Sequence, residues 1–175
     1  LMKDKDLNLM PIVSYTTRPI RSNETNGVEY YFINEDILNE YRENGKIIEE
    51  RKYDTVNGPW YYCTIDDNQI NLEVNNYLLI VTLEAYKNIK MHFGEENVCP
   101  FYIELDDGVR LERALKREKE QQNSNYDELC RRFLADNNDF SFDKLKSCNI
   151  EKFYVNDILQ ECVNNIKSDI LNLIN

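Results

Sequence analysis

The segment Tyr77-Leu78-Leu79-Ile80-Val81-Thr82 is the strongest constraint on the fold, because its apolar residues run on without alternation. A strand with one wet face alternates apolar and polar, whereas a parallel strand covered on both faces reads as a continuous apolar run. A helix is predicted directly after it, from about Glu84 to Phe93, with Gly94 as its stop. The same order recurs downstream. Val98 to Leu105 reads as a second buried strand, Val109 to Lys119 and Asn125 to Asp136 as helices on either side of the polar stretch 120–124, and Lys152 to Val155 as a last strand. A final helix gathers Ile158, Leu159, Cys162, Val163, Ile166 and Ile170 on one face. Strands alternating with helices predict an α/β domain with a mainly parallel sheet flanked by helices.

The first 64 residues break that rhythm. Met10 to Tyr15 is a strand, and Glu29-Tyr30-Tyr31-Phe32-Ile33 is an aromatic, edge-like one. Asn34 is placed to cap a helix with Glu35 and Asp36 in its first turn, Ile37, Leu38 and Tyr41 on one face, and Gly45 at its end. Residues 46–52 and 60–63 read as strands around an Asn57-Gly58 turn. Thr64-Ile65-Asp66-Asp67 reads as a capping-box variant opening a further helix. The stretch from 15 to 64 is thus predicted to be a small β-rich insert on the sheet's edge. There it forms one wall of a cleft at the carboxyl ends of the strands.

Several functional classes are excluded at this level. With 175 residues the chain fits one domain, and its net charge of −11 argues against a nucleic-acid partner. The longest unbroken apolar stretch, Leu78 to Val81, is far too short for a membrane span, and Leu1 to Asp6 has no apolar signal segment. Five scattered cysteines without a C-x-x-C pair argue against a disulfide framework or a structural metal site; they read as buried thiols in a reducing, cytoplasmic setting. His92 is the sole histidine and reads as a structural helix residue.

Ser14-Tyr15-Thr16-Thr17-Arg18-Pro19-Ile20-Arg21 sets two arginines three apart beside a Pro-stiffened loop rich in hydroxyls. Guanidinium forks suit a phosphate, since each donates two parallel hydrogen bonds to its oxygens. Asn26-Gly27-Val28-Glu29-Tyr30-Tyr31-Phe32, Lys46-Ile47-Ile48-Glu49-Glu50 and Trp60-Tyr61-Tyr62-Cys63-Thr64 follow in order. Taken singly, Tyr30 and Tyr62 also read as sheet aromatics, Thr64 as a helix cap, and Glu49-Glu50 as a solvated acidic pair of which only one can face a site.

In this order and spacing the segments resemble the nucleoside-monophosphate-binding subdomain of the guanylate kinase family. Weaker similarity continues at Tyr126 to Phe133 and Val155-Asn156-Asp157. The resemblance implies a P-loop NTPase-like core over residues 1–14 and 65–175, with a lid around 117–127 and a GMP-binding subdomain at 15–64. It implies that Arg18, Arg21, Tyr30 and Tyr62 hold the GMP phosphate while Glu49, Ser14 and Thr64 read guanine. Arg18, Arg117 and Arg132 would stabilise charge during transfer, Asn156 would lie near the adenine of ATP, and Mg²⁺ would accompany ATP. Arg117 reads equally as part of a solvated charged face, and Asn156 equally as the cap of the last helix.

The resemblance also fails in places. No G-x-x-x-x-G-K-[ST] loop occurs in the 175 residues. The chain begins at Leu1, which reads as the end of the helix that follows such a loop, so the loop and first strand are expected upstream. Arg117-Glu118-Lys119 replaces the expected Gly-Arg-Gly, Ile80 and Thr82 replace two alternating carboxylates, and Cys63 replaces a glycine whose turn it would crowd. The implied activity, conditional on that upstream loop, is ATP-dependent phosphorylation of GMP to GDP. The alternative is a guanylate-kinase-like module that binds nucleotide or a protein partner without catalysis.

Overall fold

Strand alternation and one well-capped helix shape the first of two packing units, Leu1–Cys99. The computed structural model describes residues 1–21, 23–55, 58–121 and 123–174. The first unit contains β1 (Leu9–Pro11), β2 (Tyr15–Thr16), β3 (Tyr31–Phe32), α1 (Glu35–Glu43), β4 (Ile47–Thr55), β5 (Gly58–Ile65), β6 (Asn76–Leu78) and α2 (Leu83–Phe93). Four strands hydrogen-bond in the order β3-β2-β5-β4. β2 is parallel to β3 and antiparallel to β5, which is antiparallel to β4. The expected Asn57-Gly58 turn rests partly on Asn57, which lies outside the described residues.

Helix α1 forms where its signals predict. The Asn34 side chain accepts the Ile37 N–H at 2.9 Å, satisfying one of the orphan donors of the first turn. Leu38 is fully buried and packs with Tyr15, Cys63 and Ile65, with Tyr31, Ile33, Tyr41, Ile47 and Tyr61 around them. Burying a side chain of this size contributes roughly 1.5–3 kcal/mol. Ile37, expected on the same face, is exposed instead.

Two expectations for this unit are corrected. No helix opens at Thr64: residues 64 and 65 finish β5, and residues 66–75 are turns and irregular chain. Asn68 is left-handed at φ 69°, which a continuing right-handed helix does not tolerate. The Tyr15 hydroxyl donates to Asp67 at 2.5 Å, and the Gln69 side chain bonds both the N–H and the carbonyl of Val13. These ties hold the segment against the sheet. The run 77–82 is likewise not one buried strand. β6 stops at Leu78 with β1 as its single parallel neighbour, Ile80 is 93% exposed, and Thr82 accepts the Ala85 N–H as the cap of α2. Among the described residues β6 pairs with β1 alone, and a continuous apolar run marks a buried strand only where both faces of its sheet are covered.

The second unit, Pro100–Asn175, pairs β7 (Tyr102–Glu104) with β8 (Phe153–Val155) in parallel and adds α3 (Asp107–Lys119), α4 (Tyr126–Asp139), α5 (Phe142–Ser147) and α6 (Leu159–Ile174). The sequence patterns did not anticipate α5. The spans of α3 and α4 overlap those expected, and of the face expected on the last helix Cys162, Ile166 and Ile170 are buried while Ile158 and Leu159 are exposed. Parallel pairing is therefore present as three short pairs, β1 with β6, β2 with β3 and β7 with β8, and the longest strands, β4 and β5, pair antiparallel in the mixed sheet. Cys63, Cys148 and Cys162 are buried as expected, but Cys99 and Cys130 are exposed. Among the described residues no helix is long and apolar enough to cross a membrane.

Candidate functional site

The mixed sheet has two unlike faces, and register assigns residues to them. Tyr15 pairs with Cys63 and with Tyr31, while Thr16 pairs with Tyr62 and Phe32. Glu49 pairs with Thr64 and Arg51 with Tyr62, beyond a register shift between Ile47 and Glu49. Directly opposed residues share a face, and successive residues alternate. Tyr15, Tyr31, Cys63 and Ile65 thus face α1, leaving Thr16, Phe32, Glu49, Arg51, Tyr62 and Thr64 on the other side. Glu50 confirms the division. It turns to α1, where Arg42 donates to it through Nε at 2.9 Å and Nη2 at 2.6 Å. Cys63 therefore sits inside a strand and not in a turn. Burial, seconded by Glu50 and Glu49, pushes its thiol up to about 12.

At one end of the polar face lies Arg18, only 4% exposed. Its backbone N–H donates to the Thr16 hydroxyl at 3.1 Å, and Thr16 in turn donates to the Tyr61 carbonyl at 2.8 Å. The guanidinium lies 5.6 Å from the Tyr30 ring centroid and 5.3 Å from that of Phe32. Tyr30 packs edge-on against Tyr62 at 5.6 Å. Gly27 makes the turn that presents Tyr30: its φ is +83°, and its N–H donates to the Tyr30 carbonyl at 2.9 Å. Burial, then Tyr62, raises the Tyr30 phenol above its ordinary pKa.

Glu24 completes this cluster. Arg18 donates to it through Nη1 at 2.9 Å and Nη2 at 2.7 Å, and Nη1 also donates to the Pro19 carbonyl. The backbone N–H of Arg21 donates to the same carboxylate at 2.8 Å, whereas the Arg21 residue is exposed. The Arg18 bond, the largest cause, lowers the Glu24 carboxyl to about 2, and Glu24 in turn raises Arg18. Arg18 Nε is buried and has no partner among the described residues.

Two strand residues away lies Glu49, 2% exposed. It accepts the Thr64 hydroxyl on Oε1 at 2.9 Å, and Arg51 donates to it through Nε at 3.0 Å and Nη2 at 3.3 Å. Ser14 directly precedes β2. Its carbonyl accepts the Tyr31 N–H at 2.9 Å. Of the residues singled out from sequence, Arg18, Tyr30, Glu49, Tyr62 and Thr64 thus gather on one side of this sheet; Ser14 and Arg21 enter through their backbones.

The second unit holds the remaining candidates. Arg117 is exposed on the last turn of α3. Arg132, also exposed, lies 3.8 Å from Glu118 and 3.6 Å from Glu128. Glu118 is buried and accepts the Asn125 N–H at 2.6 Å, bridging α3 to the start of α4. Asn156 follows β8, too early to cap α6, which begins at Leu159. Arg113 donates to the carbonyls of Asn156 and Asp157, at 3.0 and 3.2 Å, and Asn156 Oδ1 is buried without a partner among the described residues.

A family model described as guanylate kinase matches residues 1–170. The chain belongs to the guanylate kinase family. It is 33% identical to a guanylate kinase of Malacoplasma penetrans over 66% of this chain and 58% of that protein, and 30% identical to one of Porphyromonas gingivalis over 59% and 54%. A guanylate kinase of Chlorobium chlorochromatii matches at 27% identity over 95% of this chain and 83% of that one. The crystal structure of guanylate kinase from Anaplasma phagocytophilum superposes with a TM-score of 0.57 and 25% identity, over 95% of this chain and 77% of that one. The matched stretch covers little more than half of the Malacoplasma and Porphyromonas relatives. The mixed helices and sheets of the chain fit a P-loop NTPase-like fold.

Two residues of this cluster were not singled out by the sequence reading. Glu24 could have been found from its spacing, three residues after Arg21, with an acid placed to bond a turn N–H. Arg51 could have been found from alternation, since it shares the face of Glu49 two residues away.

Proposed function

We propose that this chain phosphorylates GMP to GDP at the expense of ATP. The observation that supports it best is the polar face of the mixed sheet, which gathers Arg18, Tyr30 and Tyr62 at one end and Glu49 and Thr64 at the other. Two strand residues, about 7 Å, separate Glu49 from the level of Tyr62. In this reading 15–64 is the GMP-binding subdomain, and 1–14 with 65–175 is a mainly parallel core with a lid around 117–127.

Arg18 and Arg21, with Tyr30 and Tyr62, grip the phosphate. Glu49 accepts the ring N–H and exocyclic amino group of guanine, and Ser14 and Thr64 supply hydroxyls. Adenine presents the opposite donor pattern and cannot donate to both oxygens of Glu49, so guanine is selected over it. Bound ATP supplies the phosphoryl group for an in-line displacement governed by positioning and electrostatics. Arg18, Arg117 and Arg132 would offset the charge, and the unpartnered Oδ1 of Asn156 fits the amino group of adenine. For Mg²⁺ the fit is poor: Ile80 carries no donor, the Thr82 hydroxyl is engaged at α2, and no group of three or more acids, cysteines or histidines converges among the described residues.

The test is ADP formation from ATP by the full-length protein, with GMP or AMP as acceptor. GMP-dependent turnover is expected; its absence, or equal turnover with AMP, rejects this reading. The engaged Thr82 hydroxyl favours a second reading, a nucleotide-binding module without turnover, which GMP binding in the absence of ADP release would establish.

A further inference from the structure

The carboxylate proposed to read guanine already holds a guanidinium. Arg51 donates to Glu49 through Nε at 3.0 Å and Nη2 at 3.3 Å, each to a different oxygen, while Thr64 takes a further site on Oε1. Guanine's recognition edge is also an N–C–N unit with two parallel N–H donors, so the side-on fork of arginine and the edge of guanine are chemical equivalents. A carboxylate presents one such two-oxygen fork, and both cannot lie along it at once.

We propose that Arg51 is an internal competitor for the base-reading carboxylate, which a guanine nucleotide must displace before Glu49 can accept its edge. This inference rests on the GMP-binding reading above and adds a specificity-determining residue to it. The geometry supports displacement over a fixed structural tie. The Glu49 side chain is inaccessible, whereas that of Arg51 is 17% exposed, and β4 is an edge strand of the sheet. Arg51 is also paired in register with Tyr62, and its charge acts on Tyr30. A displaced guanidinium thus has the phenol cluster beside it and need not go unpaired.

Competition of this kind disfavours every ligand that cannot offer two donors to the same carboxylate, a selection by what must be broken as well as by what is made. It also weakens apparent affinity by the fraction of molecules in which Glu49 is free. Removing Arg51 is therefore expected to tighten binding of guanosine, which lacks the phosphate and reports on the base alone, by roughly tenfold if the pair is closed in nine molecules of ten.

The experiment is calorimetric titration of the full-length protein with guanosine and with GMP, for the parent, Arg51→Ala and Arg51→Lys, alongside thermal melts. Arg51→Ala should bind guanosine more tightly while melting at a lower temperature, because the buried charge of Glu49 loses its partner. A purely structural role would move both quantities the same way. Arg51→Lys keeps the charge without the planar fork, so it carries the test if the alanine variant does not fold. Equal or weaker guanosine binding in every folded variant overturns the competition. If Glu49→Gln still abolishes GMP binding in that case, the GMP reading stands alone. Absence of guanosine and GMP binding in the parent and all variants removes both.

Discussion

Arg18 and Glu24 meet end-on, Nη1 to Oε2 at 2.9 Å and Nη2 to Oε1 at 2.7 Å, and this leaves Nε of Arg18 buried without a partner. Glu24 therefore fixes the guanidinium without consuming its other edge. Glu24→Gln keeps the shape but removes the charge, leaving a buried arginine half-paired. Stability is expected to fall by about 1–3 kcal/mol, and KM for GMP to rise several-fold, as measured by denaturant unfolding and steady-state kinetics.

The same pair sets an acid limit. The folded carboxyl of Glu24 is held at about 2, below its unfolded value. The stability it confers is therefore present above the usual carboxylate range and is lost as pH falls towards 2. Unfolding followed between pH 5 and 2 should show a shallower decline in Glu24→Gln than in the parent.

Glu49 and Glu50 are neighbours with separate tasks, so they separate base recognition from folding. Glu49→Gln turns one acceptor oxygen into a donor opposite guanine. It is expected to raise the GMP dissociation constant by a factor of 100 or more. Glu50→Gln loosens the tie to Arg42 on α1 and should change stability by no more than about 1 kcal/mol while leaving GMP affinity as it was. Titration of both variants with GMP and AMP distinguishes these outcomes.

The division between Glu49 and Glu50 was legible because strand alternation is local. So was α1, whose Asn34 cap and Leu38 face depend on neighbours within a few residues. The run 77–82 was misread because its apolar pattern cannot say whether a strand finds partners on both edges. Thr64 was misread as a cap because its hydroxyl answers to Glu49, 15 residues away in sequence. The roles of Glu24 and Arg51 depend on where long side chains turn, which residue type alone does not fix.

Thiol chemistry offers a check on burial. Cys63, Cys148 and Cys162 are buried and Cys99 and Cys130 exposed, and the Cys63 thiol is pushed up to about 12 by desolvation first. At pH 8 the native protein should react rapidly with Ellman's reagent at Cys99 and Cys130. The other three should react only after denaturation, as peptide mapping of the labelled protein will show.

Tyr15 ties the apolar face of the sheet to the segment after β5. Its hydroxyl donates to Asp67 at 2.5 Å, and Asp67 also accepts the Gln69 N–H at 3.0 Å. Burial first, and the Asp67 carboxylate second, raise the folded phenol far above its ordinary value of 10. Tyr15→Phe removes the donor while keeping the ring in the core, so at neutral pH it should cost about 1–2 kcal/mol. The sign reverses in alkali. A raised pKa gives stability that is complete below the unfolded value and declines above it, because the unfolded chain releases a proton that the folded one retains. Above pH 10 the parent should therefore lose its advantage over Tyr15→Phe by about 1.4 kcal/mol per pH unit. The two stability curves should approach one another there, and parallel curves up to pH 11.5 would show that the folded state does not hold the Tyr15 phenol in its protonated form.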